Sequence, residues 1–283
     1  MKMQKERAKS AFPNSSRKLL LLAQLLPLLL LLVGFLPSCV LAEKKKILCL
    51  HGGGGNGEGF AASPGMKNLE RALPDFEFVY ANAGYPVVVE EEYSKKEENS
   101  AGYLWIPDPP DGKKEPTQDP AVSQASTLTL DEIVASEGPF AGILGYSQGA
   151  AYVPFYVSTR PDTFEFALMF CGYPTLTHLG ILGVVQDSSP NPIPSLIWMG
   201  ANDFVIPPEF TRETIPFFES PLVVESDQGD HAVPGTDDPT FDQVLSFIES
   251  QSDGASDDSA GSSSSTSIVI ACLIMLGFAT VSI

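Results

Sequence analysis

The sequence predicts an α/β fold in which a mostly parallel central sheet carries helices on both faces. Three observations carry that expectation. Short apolar runs at 46–50, 76–81, 140–144, 164–171, 194–199 and 221–225 read as buried strands, and stretches of helical pattern separate them. Strands that alternate with helices build a parallel sheet whose crossovers cover both faces. The first and third runs each end in a glycine-rich turn, the first in His51-Gly52-Gly53-Gly54-Gly55 and the third in Gly145-Tyr146-Ser147-Gln148-Gly149. Open α/β sheets gather functional groups outside the carboxyl ends of their strands.

The third run is the most informative. An apolar strand precedes Ser147, and small then apolar residues (Ala150-Ala151-Tyr152-Val153) follow it as the start of a helix. A serine at the apex of a strand–turn–helix is the nucleophile elbow of α/β-hydrolases. The strained turn needs neighbours without bulk, which Gly145 and Gly149 supply. It also leaves the Gln148 amide at a helix N-terminus, where it can face an oxyanion. The first run supplies a second donor. An HGGG-type turn lets backbone amides approach a substrate oxygen because side chains are absent. We assign this donor to the Gly53 amide, with Gly54 as the alternative, and read His51 as a structural turn residue. A phosphate-binding glycine loop is the competing reading. It lacks both a following Lys-Ser/Thr and a GxGxxG with a downstream acid.

Three histidines are available, His51, His178 and His231. The hydrolase order of serine, acid, histidine excludes His51 as the base. Between Ser147 and His178 the acids are Asp162, in a surface turn after Pro161, and Glu165, at the start of an apolar run. Between Ser147 and His231 lies Asp203, just past the strand that stops at Gly200. His231 sits in a loop between the run at 221–225 and a closing helix at 241–249. Ser147, Asp203 and His231 all fall beyond strand ends, and we select them as the triad.

Residues 138–150 (Gly138-Pro139-Phe140-Ala141-Gly142-Ile143-Leu144-Gly145-Tyr146-Ser147-Gln148-Gly149-Ala150) resemble the "family of serine hydrolases" (FSH) branch of the α/β-hydrolases. So do Ile47-Leu48-Cys49-Leu50-His51-Gly52 with Asn56, Trp105 ahead of an acidic stretch, Gly200 with Asp203, and His231 before Val233-Pro234. The resemblance spans about residues 44–250. It implies a compact serine carboxylesterase or acyl hydrolase with the triad above. This sequence departs from the pattern at Ala141, where the family carries Asp, in the run of four glycines, and at Pro154, which is expected to kink the helix after the nucleophile. The family's strand order also places the nucleophile strand between Cys49 and Cys171. Two strand spacings exceed disulfide reach, so two buried free thiols are expected.

The chain ends suggest where the protein resides. Residues 1–42 combine a basic start, an apolar run at 19–36 and the small-residue ending Val40-Leu41-Ala42, the layout of a signal peptide. Residues 43–250 form the hydrolase domain, and 251–267 are a Ser-rich stalk with an anchor-attachment region. Residues 268–283 are an apolar tail, either a GPI signal or a tail anchor. Residues 1–42 hold six basic side chains and one acidic, so the −18 of the whole chain becomes −23 for the remainder. That charge disfavours nucleic acid as a partner and favours neutral or cationic esters over anionic ones. A membrane is implied only through the C-terminal anchor or tail. No cofactor is implied, and the cysteines and histidines show no zinc spacing.

Residues 85–124 interrupt the strand–helix alternation with a long, acidic, proline-rich stretch. Such length suggests a lid, a binding loop or a solvated insert. Trp105 is its apolar anchor, expected near the catalytic mouth as a substrate-binding residue. Two other function classes stay open at this level. One is an acyl-protein thioesterase-like or lysophospholipase-like enzyme, and the other is a non-catalytic surface binding module on a hydrolase scaffold.

Overall fold

The computed structural model describes residues 44–87, 102–109, 112 and 114–253. The expected leader (1–42), the GPI or tail segment (268–283), nearly all of the stalk and the charged part of the middle stretch lie outside the described residues.

Six parallel strands form one sheet in the order β2-β1-β5-β6-β7-β8. They are β1 Lys45–Leu50, β2 Phe76–Ala81, β5 Gly142–Tyr146, β6 Phe166–Phe170, β7 Ser195–Gly200 and β8 Leu222–Ser226. Each matches an apolar run in the sequence to within two or three residues at its ends. A short antiparallel pair, β3 Tyr85–Pro86 and β4 Tyr103–Leu104, stands apart from the sheet. The helices are α1 Gly57–Ala61, α2 Pro64–Ala72, α3 Gln124–Glu137, α4 Gln148–Thr159, α5 Leu179–Asp187, α6 Pro208–Arg212 and α7 Phe241–Asp253.

Side chains alternate across the pleat, so every central strand feeds two cores. Leu48, Ile143, Met169 and Ile197 face one way and pack with α3, α4 and α5 through Leu130, Tyr152 and Ile181. Ile47, Leu144, Leu168 and Trp198 face the other way, toward α2 and α7 through Leu69, Val244 and Ile248. Near-continuous burial along β5, β6 and β7 is the signature of a sheet covered on both faces.

One helix is longer than expected and another carries a proline in its interior. The closing helix α7 extends to Asp253, the last described residue, beyond the 249 expected for it. Pro154 sits inside α4 without ending it. Its flanking residues are buried in the first core, so packing holds the helix across the missing backbone bond. Cys49 and Cys171 are both buried free thiols, and β5 does run between β1 and β6.

Candidate active site

The site is built at the carboxyl edge of the sheet, where β5, β7 and β8 release their loops. Ser147 links β5 directly to α4 with φ 53 and ψ −116, a strained left-handed conformation for a residue with a side chain. A Cβ on Gly149 would lie 2.4 Å from the Leu50 carbonyl, and one on Gly145 would lie 2.6 Å from the Ala150 amide nitrogen. The elbow therefore tolerates only glycine at both positions, and α4 can press against the end of β1.

Ser147 Oγ lies 3.1 Å from His231 Nε2, and His231 Nδ1 lies 2.7 Å from Asp203 Oδ2. These distances suit a hydroxyl donating to the imidazole and the imidazole donating to the carboxylate. Asp203 is almost fully buried. Its other oxygen, Oδ1, accepts from the backbone amides of Val205 and Ile206 at 2.9 and 2.8 Å. His231 is held from a different side: Tyr146 donates its hydroxyl to the His231 carbonyl at 2.7 Å, and the two rings lie 5.1 Å apart. Burial pushes the Tyr146 phenol well above its ordinary pKa, so it remains a donor at any physiological pH.

The residues that carry the two proposed oxyanion donors are neighbours. A Cβ on Gly53 would touch the Gln148 side chain at 3.3 Å. Neither amide has a hydrogen-bond partner among the described residues, whereas the Gly54 amide donates to the Tyr103 carbonyl at 2.9 Å. The alternative donor is thereby already engaged. The four-glycine turn closes on itself through Gly55 N–H to Gly52 O at 3.0 Å, and Tyr103 N–H donates to the Gly55 carbonyl at 2.8 Å.

Trp105 does return to this region, with its side chain fully buried beneath the turn. Its indole N–H donates to the His51 carbonyl at 2.8 Å, and its backbone N–H donates to Gln148 Oε1 at 2.9 Å. Gln148 Nε2 in turn donates to the Ile106 carbonyl at 2.9 Å. Residues 103–106 are thus a strap that stitches the glycine turn to the elbow. His51 completes the brace: Nδ1 donates to the Gly52 carbonyl at 2.7 Å and Nε2 accepts from the Ala83 amide at 3.2 Å. Both bonds need one neutral tautomer, and burial lowers the His51 pKa accordingly. His178 lies elsewhere, with Nε2 on the Pro107 carbonyl at 2.7 Å and Nδ1 on Thr177 Oγ1 at 2.9 Å. Asp162 sits in a turn with φ 63, and Glu165 pairs with Lys45 at 3.3 Å.

Three contributors escaped the sequence reading. Tyr146 occupies a variable position of the elbow motif, where nothing marks its hydroxyl for the histidine loop. The Gln148 side chain was read only for its backbone amide. Cys171 was read only for disulfide reach, yet its thiol lies against the carbonyls of Asp230 and Ala232 at 3.7 and 3.6 Å.

A cleft of about 360 Å³ opens beside Gln148, lined by Ile106, Leu176, Val205, Ile206 and Phe210 with Asp108 and His178 at its polar side. Phe204 and Val205 stand out beside it, 93% and 65% exposed. A second cleft of about 480 Å³ adjoins His231 and is bordered by Tyr146, Trp198, Asp230, Asp237 and Asp238.

Comparisons with known proteins bear on the family and the fold. The family described as "Serine hydrolase (FSH1)" matches residues 41–242. "Esterase OVCA2" of Danio rerio is 30% identical over 210 residues, covering 67% of this chain and 90% of that protein. "Esterase CG5412" of Drosophila melanogaster is 30% identical over 208 residues, covering 69% of this chain and 71% of its own. Among solved structures, esterase PE8 superposes with TM-score 0.54 at 19% identity, covering 76% of this chain and 96% of its own. Acyl-protein thioesterase 2 of Zea mays gives TM-score 0.52, also at 19% identity, covering 74% and 94%. At that identity the structural likeness concerns the α/β-hydrolase fold alone. With the family match spanning most of its length and esterase relatives at this identity, the chain belongs to the FSH1 serine hydrolase family of the α/β-hydrolase fold.

Proposed function

We propose that this serine hydrolase cleaves carboxylic esters through an acyl-enzyme, with Ser147 as nucleophile, His231 as general base and acid, and Asp203 as the group that holds the imidazole. The observation that carries this reading is the unbroken donor chain from Ser147 Oγ to His231 and on to Asp203. His231 Nε2 takes the serine proton as Oγ attacks the ester carbonyl. The amides of Gly53 and Gln148 receive the oxyanion, and His231 returns the proton to the leaving alcohol. Water, deprotonated by the same imidazole, then clears the acyl group. Changing Ser147→Ala is expected to lower p-nitrophenyl ester turnover by about 10⁶-fold in kcat and to abolish fluorophosphonate labelling. Unchanged turnover would reject Ser147 as nucleophile.

The cleft beside Gln148 gathers Ile106, Leu176, Val205, Ile206 and Phe210 into an apolar wall, which favours an aliphatic acyl group lying against it. Its exposed apolar rim at Leu176, Phe204, Val205 and Phe210 supports a second reading, hydrolysis of lipid-like acyl thioesters or lysophospholipids. A substrate panel from acetate to palmitate esters, with matched acyl thioesters and lysophospholipids, separates the two. Secretion through residues 1–42 and surface attachment through a GPI anchor replacing 268–283 complete the proposal, on the layout of the chain ends. Among the described residues no helix is long and apolar enough to cross a membrane. Release from cells by a phosphatidylinositol-specific phospholipase tests the anchor, and continued attachment would favour a retained tail.

A further inference from the structure

We propose that Cys171, Asp203 and His231 form an inhibitory site for a thiophilic divalent cation, zinc in the first instance, which switches the enzyme off by capturing the inner nitrogen of its histidine. The inference rests on the triad reading above and concerns regulation of that same site. The thiol sulfur, a carboxylate oxygen and an imidazole nitrogen converge so that all three donor atoms lie within 4.8 Å of one another. Thiolate, imidazole and carboxylate are the ligand types of protein zinc sites. An Asp–His pair belongs to the triad itself, and the third donor is particular to the end of β6. Cys171 adopts φ 53 there, its amide donates to the Trp198 carbonyl at 3.0 Å, and its thiol is directed into the loop that carries His231.

The surroundings favour a cation. The second cleft adjoins His231 and is bordered by Asp230, Asp237 and Asp238, while the thiol touches the carbonyls of Asp230 and Ala232 from inside. Only the short 230–232 segment separates the acidic cleft from the sulfur. Acidic walls raise the local concentration of cations. A coordinated thiol gives up its proton to the metal.

The inhibition follows from proton positions. Binding forms bonds from the cation to sulfur, to an Asp203 oxygen and to His231 Nδ1. The thiol proton leaves to solvent, and the Nδ1 proton is lost to solvent while Nε2 gains one. A neutral imidazole metallated at Nδ1 carries its hydrogen on Nε2, so Ser147 faces a donor and has no base. No redox change is involved.

The test uses the full chain, titrated with zinc chloride in a non-coordinating buffer, with residual ester hydrolysis and fluorophosphonate labelling followed together. Reversible loss of both, restored by a chelator, is expected, with magnesium and calcium without effect. Cys171→Ser keeps the shape of the site, and at least a tenfold weaker zinc inhibition is expected for it. Cadmium supplies a readout independent of turnover: a thiolate-to-metal absorbance that appears with wild type and Ser147→Ala and is missing in Cys171→Ser. Equal zinc sensitivity in Cys171→Ser, or a cadmium band that persists in that variant, overturns the site. If Cys171→Ser does not fold, cadmium absorbance in a variant with Cys39, Cys49 and Cys272 all changed to Ser decides, because Cys171 is then the one thiol left of the four in the sequence; absence of the band there overturns the proposal. Failure of fluorophosphonate labelling in metal-free protein would instead count against the triad and leave the cadmium result to stand alone.

Discussion

Asp203 uses its two carboxylate oxygens for different tasks: Oδ2 meets His231, and Oδ1 caps the amides of Val205 and Ile206. Asp203→Asn keeps the size of the side chain but presents an amide to Nδ1, which favours the wrong tautomer. A fall in kcat of about 10⁴-fold with little change in KM is expected from steady-state kinetics. The Tyr146 hydroxyl acts one step further out, on the backbone of the histidine loop. Tyr146→Phe removes one hydrogen bond, worth about 1 kcal/mol. Its expected signature is a several-fold loss in kcat with full fluorophosphonate labelling at saturation. His51 sets a limit on the acid side. Its folded pKa is lowered from the ordinary 6.5, so the unfolded chain takes up a proton first as pH falls. The contribution is fully present above about 6.5 and declines below it. Thermal melts should show Tm falling more gently across that range in His51→Gln than in the wild type.

At the level of elements, the strand–elbow–helix unit depends on contact between α4 and the end of β1. Gly149→Ala would bring a methyl to 2.4 Å from the Leu50 carbonyl and 2.7 Å from that of His51. A destabilisation of about 1–3 kcal/mol is expected, and a displaced Gln148 amide should lower kcat more than it alters KM. Calorimetry and kinetics on the same variant check both. These elements were the legible part of the chain, because each announces itself locally. An apolar run meets a glycine turn at 50–55 and again at 144–149, and the order of Ser147, Asp203 and His231 leaves few assignments. The strap was not legible in the same way. Residues 103–106 are tied to Gly54, Gly55 and Gln148 by hydrogen bonds of backbone groups and one side-chain amide, and backbone pairing across forty residues leaves no periodic mark. For the same reason the sequence marks Trp105 as an anchor near the site but not the burial of its ring.

On the scale of the whole molecule, charge and surface polarity pull in different directions. The segment from residue 43 onward carries −23, while the cleft beside Gln148 has an apolar wall and an apolar rim. A long-range negative field acts on encounter more than on fit. For a cationic choline ester, kcat/KM is expected to fall as salt is raised from low ionic strength. For an anionic succinate half-ester of the same size it is expected to rise. Equal responses would mean that the charge lies too far from the mouth to steer anything. The two sheet faces do not contribute to such selectivity, since both are sealed by helices.

The Asp203 brace has a consequence for diversification. Because Oδ1 grips main-chain amides at 205 and 206, the acid is indifferent to which side chains those positions bear. Phe204 and its neighbour can therefore be exchanged, by selection or by an engineer, while the proton relay keeps its spacing. This short loop is the natural place to retune which acids the enzyme accepts.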